Sequence, residues 1–311
     1  MSTLLSIVMP SYNQGRFLPA ALDSILGQSY RPLEVIVVDG ASSDDSCAIL
    51  ADYARRHPEL RWISEKDQGP ADAVNKGLAL MRGGLAGICS SDDVYTPGAF
   101  EQVMRAAQAH PDCGFFYGDV AAVDEQGREL GRGHLPEFSW EAFFAISLAL
   151  PQGSIFFRTK LAREIGGWNA SYYSCDIDYW LRMLFRTRAM KIPQVLSHWR
   201  MHPEQRTRAD RVARLRRDYE RMIAESPDLR AASPRLRRLA RASCALWVYY
   251  EPGPDLWAAR RAALRALLLH PTYPFYIQRE RLLPMIPGYG RSRALLARLR
   301  GTQAKQSVAQ P

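Results

Sequence analysis

The chain has 311 residues, 47% of them hydrophobic and 23% charged, with 41 Lys or Arg against 32 Asp or Glu and a formal net charge of +9. That length holds one large α/β domain plus an appendage with ample core, and no segment approaches the ~18 continuous apolar residues of a transmembrane helix. Five scattered cysteines, Cys47, Cys89, Cys113, Cys175 and Cys244, have neither CxxC pairing nor zinc spacing; they exclude a disulfide scaffold and read as reduced thiols of a cytosolic protein.

The N-terminus enters its first strand within three residues, with no signal-peptide pattern. Leu4-Leu5-Ser6-Ile7-Val8-Met9-Pro10-Ser11-Tyr12-Asn13 reads as a buried strand ending in a polar turn. A helical pattern follows through Phe17, Leu18, Ala21, Leu22, Ile25 and Leu26. Leu33 to Gly40 is a second apolar strand, ending in the single acid Asp39. Ser42-Ser43-Asp44-Asp45 then supplies cap residues for a helix through Ile49, Leu50 and Tyr53. Arg61-Trp62-Ile63-Ser64 leads into Glu65-Lys66-Asp67-Gln68-Gly69-Pro70 and a helix carrying Asp72, Asn75 and Lys76. Strands alternating with helices of this length predict a parallel sheet covered on both faces, with ligands at the carboxyl ends of the strands.

The fourth strand, from Leu85, runs into Ser90-Ser91-Asp92-Asp93. Adjacent carboxylates repel each other and resist burial, so a strand ending in them calls for solvent, a cation or a hydrogen-bonding ligand. A hard divalent cation completed by a diphosphate is the natural partner. The structural alternative is a polar turn before a helix opening at Pro97.

In the second half, Pro151 to Arg158 reads as a strand and Ile165-Gly166-Gly167-Trp168 as a turn after a short helix. Asp176 and Asp178 precede Tyr179-Trp180-Leu181-Arg182 on a further helix, and His198-Trp199-Arg200-Met201-His202 closes the domain. Beyond it the pattern is helical: Arg206 to Ala224, Pro234 to Tyr250 and Leu256 to Leu269, broken at Ser226-Pro227 and Glu251-Pro252-Gly253-Pro254. An aromatic and proline-rich stretch (272–289), a helix over 291–299 and a polar tail expected to be disordered complete the chain. The division is 1–202 for the α/β domain, 203–300 for a basic helical region and 301–311 for the tail. Net charge is −4 over 1–202 and +13 over 203–311. No nucleic-acid motif accompanies the basic excess, so nucleic acid is not the expected partner; helices with interleaved arginines suit either an anionic membrane surface or a subdomain packed on the core.

Taken together, Pro10-Ser11-Tyr12-Asn13, Val37-Val38-Asp39-Gly40, Asp67-Gln68-Gly69 with Asn75-Lys76-Gly77, Ser91-Asp92-Asp93 and Asp176-Ile177-Asp178-Tyr179-Trp180-Leu181-Arg182 resemble the ordered signature of family 2 glycosyltransferases. The resemblance spans residues 4 to 202. It implies the GT-A fold, a Rossmann-like three-layer α/β/α domain with a mostly parallel sheet, and transfer of a sugar from a nucleotide diphosphate donor with inversion. By the resemblance, Asp39 would accept the N3–H of a uracil or thymine, favouring UDP or dTDP donors. Pro10, Ser11 and Tyr12 would form the turn beside base and ribose, Asp67 would lie near the base, and Lys76 joins the donor set. Asp92 would approach the ribose and Asp93 the metal, Mn²⁺ or Mg²⁺, although Ser90 stands where the family often has its first acid. Arg200 and His202 fall where the family has Arg-x-His near the diphosphate, His202 as a phosphate or metal contact. Asp176 maps to the catalytic base and Asp178 is the alternative; Cys175 replaces the family's usual Glu. The implied acceptor is a saccharide or lipid-linked saccharide of surface polysaccharide or cell-envelope glycan synthesis, handled in the cytoplasm or on the inner membrane face.

Two other classes remain at this stage. A sugar nucleotidyltransferase would carry a Gly-rich basic loop after its first strand, where this chain has Pro10-Ser11-Tyr12-Asn13. A non-catalytic nucleotide-sugar binder would have the metal pair or Asp176 mispositioned.

Overall fold

The computed structural model describes residues 3–146, 150–205, 212–245 and 256–269. The chain divides into two compact units, Met1–Arg208 and Ala209–Pro311.

The first unit opens with the alternation β1 (Leu5–Ser11), α1 (Leu18–Leu26), β2 (Leu33–Asp39), α2 (Ser46–Arg56), β3 (Leu60–Ser64), α3 (Pro70–Leu80) and β4 (Leu85–Ile88). It continues through β5 (Val94–Tyr95), α4 (Ala99–Ala109), β6 (Cys113–Val123), β7 (Glu129–Gly133) and α5 (Trp140–Ile146). A 3-10 turn (Gln152–Ser154), β8 (Ile155–Arg158), α6 (Thr159–Ile165), α7 (Cys175–Leu184) and β9 (Arg188–Arg200) complete it. The nine strands among the described residues form one sheet, ordered β3-β2-β1-β4-β8-β6-β9-β5, with β7 against β6. The first four strands are mutually parallel; β8 then runs antiparallel to both β4 and β6, and β6 pairs parallel with β9. β1 thus has β2 on one side and β4 on the other, which opens a crevice at the carboxyl ends of these strands.

Burial on both faces explains why the strands read as unbroken apolar runs rather than alternating ones. Leu5, Ile7 and Met9 join Leu33, Val35 and Val37 in a core with Leu18, Leu22 and Ile25 of α1, Leu50 of α2 and Phe100 and Val103 of α4. Each fully buried side chain of this size contributes ~1.5–3 kcal/mol. Residue Val8 points the other way, as the two-residue period requires, and meets Gly77 of α3: a Cβ at Gly77 would stand 2.3 Å from Val8 Cγ1. Only a residue without a side chain lets α3 lie this close to the sheet.

At the amino ends of the strands the fold is closed by Glu34. Its side chain is 4% exposed. One oxygen accepts from Ser6 Oγ (2.6 Å), Arg82 N (2.5 Å) and Gly83 N (3.2 Å), and the other from Arg61 (2.9 Å) and Arg82 Nε (3.2 Å). Burial alone would raise this carboxyl; the hydrogen bonds from Ser6, Arg82 and Arg61 outweigh it and hold the group below its ordinary range.

The structure shortens the fourth predicted strand. β4 stops at Ile88, and Ser90 to Asp93 form a turn closed by Asp93 N on Ser90 O at 3.1 Å. The next helix opens at Ala99, not Pro97, behind Gly98 with φ +75°.

The second unit contains α8 (Val212–Glu225), α9 (Pro227–Ala231), α10 (Pro234–Ala245) and α11 (Leu256–Leu269). Ser226-Pro227, read as a break, is also a restart: Ser226 Oγ accepts from Leu229 N at 3.2 Å and Pro227 occupies the first turn of α9. Met222, Ile223, Leu229, Leu239 and Ala240 are buried between these helices, where Tyr219 and Ser243 share a hydrogen bond of 2.9 Å. The stretches expected at 246–250, 272–289, 291–299 and 301–311 lie outside the described residues.

Candidate active site

Each parallel strand delivers its last polar residue to the crevice. Ser11 ends β1, and Gly40 N donates to Ser11 O at 2.9 Å, tying the β1 and β2 tips together. Asp39 is wholly buried; its Oδ2 accepts from Ser42 N (2.9 Å), Ser64 Oγ (2.7 Å) and, more weakly, Cys47 Sγ (3.5 Å), and its Oδ1 from Ser42 Oγ alone (2.5 Å). An ionised carboxylate offers about two acceptor positions on each oxygen, so one remains on Oδ1 for a further donor. Asn13, at φ +52°, closes the same loop pair through Asn13 N to Ser42 Oγ (2.8 Å) and Ser43 N to Asn13 Oδ1 (2.8 Å).

Gly40 forms the floor of this pocket. A Cβ there would lie 2.7 Å from Asp67 Oδ2 and 3.2 Å from Tyr12 Cδ2. The loops after β1, β2 and β3 therefore place Tyr12, Asp39 and Asp67 around one glycine, with the Tyr12 ring 60% exposed. Asp67 is held by Gly69 N at 2.8 Å.

Asn75, Lys76 and Gly77 have separate tasks. Asn75 exchanges hydrogen bonds with the backbone of Trp168, Nδ2 to O at 2.9 Å and N to Oδ1 at 2.6 Å, and so clamps α3 to the turn before α7. Lys76 lies between Glu65 (2.8 Å) and Asp72 (3.2 Å), two carboxylates of its own neighbourhood.

The acidic turn sits beside this pocket. Asp93 is buried, and its Oδ1 accepts from Arg200 N at 2.9 Å. Burial first, and the adjacent Asp92 charge second, push the Asp93 carboxyl well above its ordinary value, with Arg200 only partly offsetting them. Asp92 faces His202: Oδ2 and Nε2 are 3.0 Å apart, and the imidazole is fully buried against the Phe17 ring at 4.7 Å. His202, expected with Asp93, thus partners Asp92 in the structure.

The Arg200 guanidinium donates to three backbone carbonyls, of Asp92 (2.9 Å), Glu125 (2.7 Å) and Asp124 (3.4 Å). It staples the acidic turn to the β6–β7 turn while lying 5.2 Å over Phe17. Arg16 was not among the expected residues. It approaches His202 Nδ1 (3.5 Å), Glu204 (3.2 Å) and Glu125 (3.5 Å) and is half-exposed. Its position just after the β1 turn is the sequence signal that could have found it. Gln152, also unexpected, donates to Ser90 Oγ at 3.1 Å.

Among the described residues no group of three or more His, Cys, Asp or Glu side chains is placed to hold a metal ion by itself. Magnesium-type sites use one or two carboxylates and take their remaining oxygens from water and substrate phosphates. Asp92 and Asp93 fit that pattern: two adjacent carboxylates, one buried and held against its charge, gain from a cation.

On α7 the two acids differ. Asp178 is buried and paired with Arg182 at 2.9 Å, whose other nitrogens donate to Ile165 O (2.8 Å) and Gly167 O (2.7 Å). Asp178 therefore anchors the α6–α7 turn, while Asp176 is half-buried in the first turn of the helix. Behind them pack Tyr179, Trp180, Phe157 and Trp168, with Tyr179–Trp180 centroids 5.4 Å apart.

An open α/β sheet binds its ligands in the crevice at its switch point, where these acids gather. The family profile "Glycosyl transferase family 2" matches residues 6–166, more than half of the chain, and the chain belongs to that family. It is 29% identical over 184 residues to the chondroitin synthase of Escherichia coli, covering 58% of this chain and 26% of that protein. With an uncharacterized protein of Mycobacterium tuberculosis it shares 30% over 212 residues, 62% of this chain and 66% of the other. The chain thus spans about a quarter to two thirds of the length of these relatives. The fold is of the GT-A type: S. aureus TarS 1-349 superposes with a TM-score of 0.61 at 13% identity, covering 93% of this chain and 91% of that one. A mannosyltransferase from Pyrobaculum calidifontis, in complex with GDP-Man and Mn²⁺, gives 0.54 at 19% identity, covering 93% and 87%.

Proposed function

We propose that this protein is an inverting glycosyltransferase that moves a sugar from a UDP- or dTDP-sugar to a hydroxyl of a saccharide or lipid-linked acceptor in cell-envelope glycan synthesis. The observation that carries this reading is the convergence of Tyr12, Asp39 and Asp67 around Gly40, beside the Asp92–Asp93 turn, at the carboxyl ends of the parallel strands. Asp39 uses its remaining acceptor position for the N3–H of the base, Tyr12 covers the ring, and Pro10 and Ser11 set the turn beneath base and ribose. Asp67 shapes the opposite wall, and Lys76 fixes that wall through Glu65 and Asp72. Asp92 lies toward the ribose, with His202 and Arg16 behind it.

Asp93, with Asp92, would hold a Mn²⁺ or Mg²⁺ ion. When bound, the ion offsets the negative charge on the departing diphosphate. Arg200 acts by position, fixing the Asp93 carboxylate through its backbone N–H and the turn through its guanidinium. On the acceptor side, Asp176 takes the proton of the attacking hydroxyl as its oxygen bonds to the anomeric carbon from the face opposite the nucleoside diphosphate. The C1–O bond to the diphosphate breaks, and the nucleoside diphosphate leaves with both electrons. Asp178, committed to Arg182, is not available for this step. The basic C-terminal unit faces the anionic inner surface of the cytoplasmic membrane; no helix among the described residues is long and apolar enough to cross one.

The test is a donor panel of UDP-, dTDP- and GDP-sugars with Mn²⁺, read by nucleotide release and thermal shift. A UDP- or dTDP-sugar is expected to stabilise the protein and turn over. Selective binding of a GDP-sugar would overturn the role of Asp39, and binding without release in the presence of acceptors would leave a silent binder.

A further inference from the structure

The C-terminal unit contains a cavity of about 980 Å³ among α8, α9, α10 and α11. Its described walls carry six arginines and one carboxylate, Glu220. Three of the arginines are committed. Arg216 pairs with Glu220 at 3.0 Å, Arg230 donates to Glu225 O at 2.7 Å, and Arg237 donates to the carbonyls of Arg230 (2.9 Å) and Ala232 (3.1 Å). The others, Arg241, Arg261 and Arg265, make no ion pair or hydrogen bond among the described residues and are exposed at the cavity. Buried Ile223 and Leu229 supply apolar wall. The Cys244 thiol, also in the wall, is pushed up to about 12 by burial and stays neutral, so it does not offset the positive charge. Three uncompensated guanidiniums converging on one hollow form a binding surface for a phosphate group, which accepts their parallel N–H donors.

A second feature adjoins it. On α11, Trp257, Leu264 and Leu268 are 64%, 59% and 77% exposed. At 3.6 residues per turn, spacings of seven and four place them within about 40° on one face, and Arg261 and Arg265 follow that face on one side. Arginines beside an exposed stripe of Trp and Leu are the pattern of a helix lying in a lipid interface.

We infer that the cavity ringed by Arg241, Arg261 and Arg265 binds the phosphate headgroup of an anionic lipid while the Trp257–Leu264–Leu268 face of α11 enters the lipid surface. This rests on the reading of the C-terminal unit as membrane-facing and adds a discrete site to it. A uniformly basic surface would attract the same lipids without preferring these three arginines.

The full-length protein is sedimented with phosphatidylcholine vesicles with and without phosphatidic acid. Three variants follow: R241Q/R261Q/R265Q, the charge-matched R217Q/R221Q/R238Q outside the cavity, and L264S/L268S. Each basic side chain near an anionic surface contributes about fivefold, so the cavity triple should bind phosphatidic acid vesicles on the order of 100-fold more weakly. The charge-matched triple should lose much less, and L264S/L268S should also weaken binding. Unchanged circular dichroism and Tm exclude misfolding, and single R241Q, R261Q and R265Q variants replace the triple if it unfolds. Equal loss in both triples would overturn the site and leave only the general membrane reading. No pelleting of the wild type would overturn both. Displacement of vesicles by millimolar inorganic diphosphate, with the same arginine dependence, would show that a free phosphate is the occupant and reject the lipid.

Discussion

Two buried carboxylates on the same sheet have opposite fates. Glu34, near the amino ends of the strands, is met by Ser6, Arg61, Arg82 and Gly83 and lies below its ordinary pKa. Asp93, at the carboxyl ends, receives one backbone N–H, faces a second carboxylate and is pushed up. Folding has satisfied the first within the chain and left the second with one donor and a like charge beside it. The proposed function puts stability at one edge of this sheet and chemistry at the other, a division that variants at each edge test.

The same contrast recurs on α7, where the largest effect is expected. Asp178 is spent on Arg182, so its loss should cost stability and little rate; Asp176 should do the reverse. Asp176→Asn is expected to lower transfer by roughly 10²–10⁴-fold with donor affinity nearly unchanged. Asp178→Asn should lower Tm by a few degrees and keep most activity. Steady-state kinetics and thermal melts on both variants decide it; normal transfer by Asp176→Asn would break the assignment.

Much of this architecture was legible in the residues. The runs 5–11, 33–39 and 85–88 emerge as strands buried on both faces, 60–64 as the half-exposed edge strand beside them, and the acids that follow them occupy the crevice. Less visible was β6, an eleven-residue strand whose Phe115, Phe116 and Tyr117 are buried on both sides and show no period. The individual partnerships of the site were not legible either. Whether Lys76 meets the donor or Glu65 depends on how the loop after β3 folds back on α3, and whether His202 meets Asp92 or Asp93 depends on loop geometry across 110 residues of chain. Spacing carries no such information. The doubly bonded Asn75 shows the limit well: in the sequence it was only a member of a motif, and its amide is used to clamp Trp168.

The second prediction tests the stable edge. Glu34→Ala strands the Arg82 and Gly83 N–H groups and two guanidiniums, and breaking a buried charge cluster costs 3–5 kcal/mol. Because Arg61 and Arg82 are 40% and 65% exposed, about 3 kcal/mol is expected by urea denaturation, with no effect on donor binding in the folded protein. Glu34→Gln supplies the pH dependence. The folded pKa is depressed, so the wild type's advantage is fully present above the unfolded value of about 4.3. It should shrink as pH falls through the folded value. A difference between wild type and Glu34→Gln that does not change in acid would show that the charge is not what stabilises this edge.

The smallest change in stability, with the opposite sign, is expected at Asp93. Asparagine keeps the Oδ1 acceptor for Arg200 N and removes the charge that burial and Asp92 oppose. Because the folded pKa is raised, the ionised carboxylate costs stability as pH rises from the unfolded value near 3.9 through the folded one. Asp93→Asn should therefore melt higher than the wild type at neutral pH, by about 2–4 °C if the relief is near 1 kcal/mol, and should match it in acid. Binding should move the other way. In the wild type, EDTA should abolish donor binding and Mn²⁺ restore it; in Asp93→Asn, Mn²⁺ should have little to restore. A variant that melts lower than wild type at neutral pH would place Asp93 with Glu34 among the structural carboxylates, and unchanged donor affinity in excess EDTA would remove the cation from this edge of the sheet.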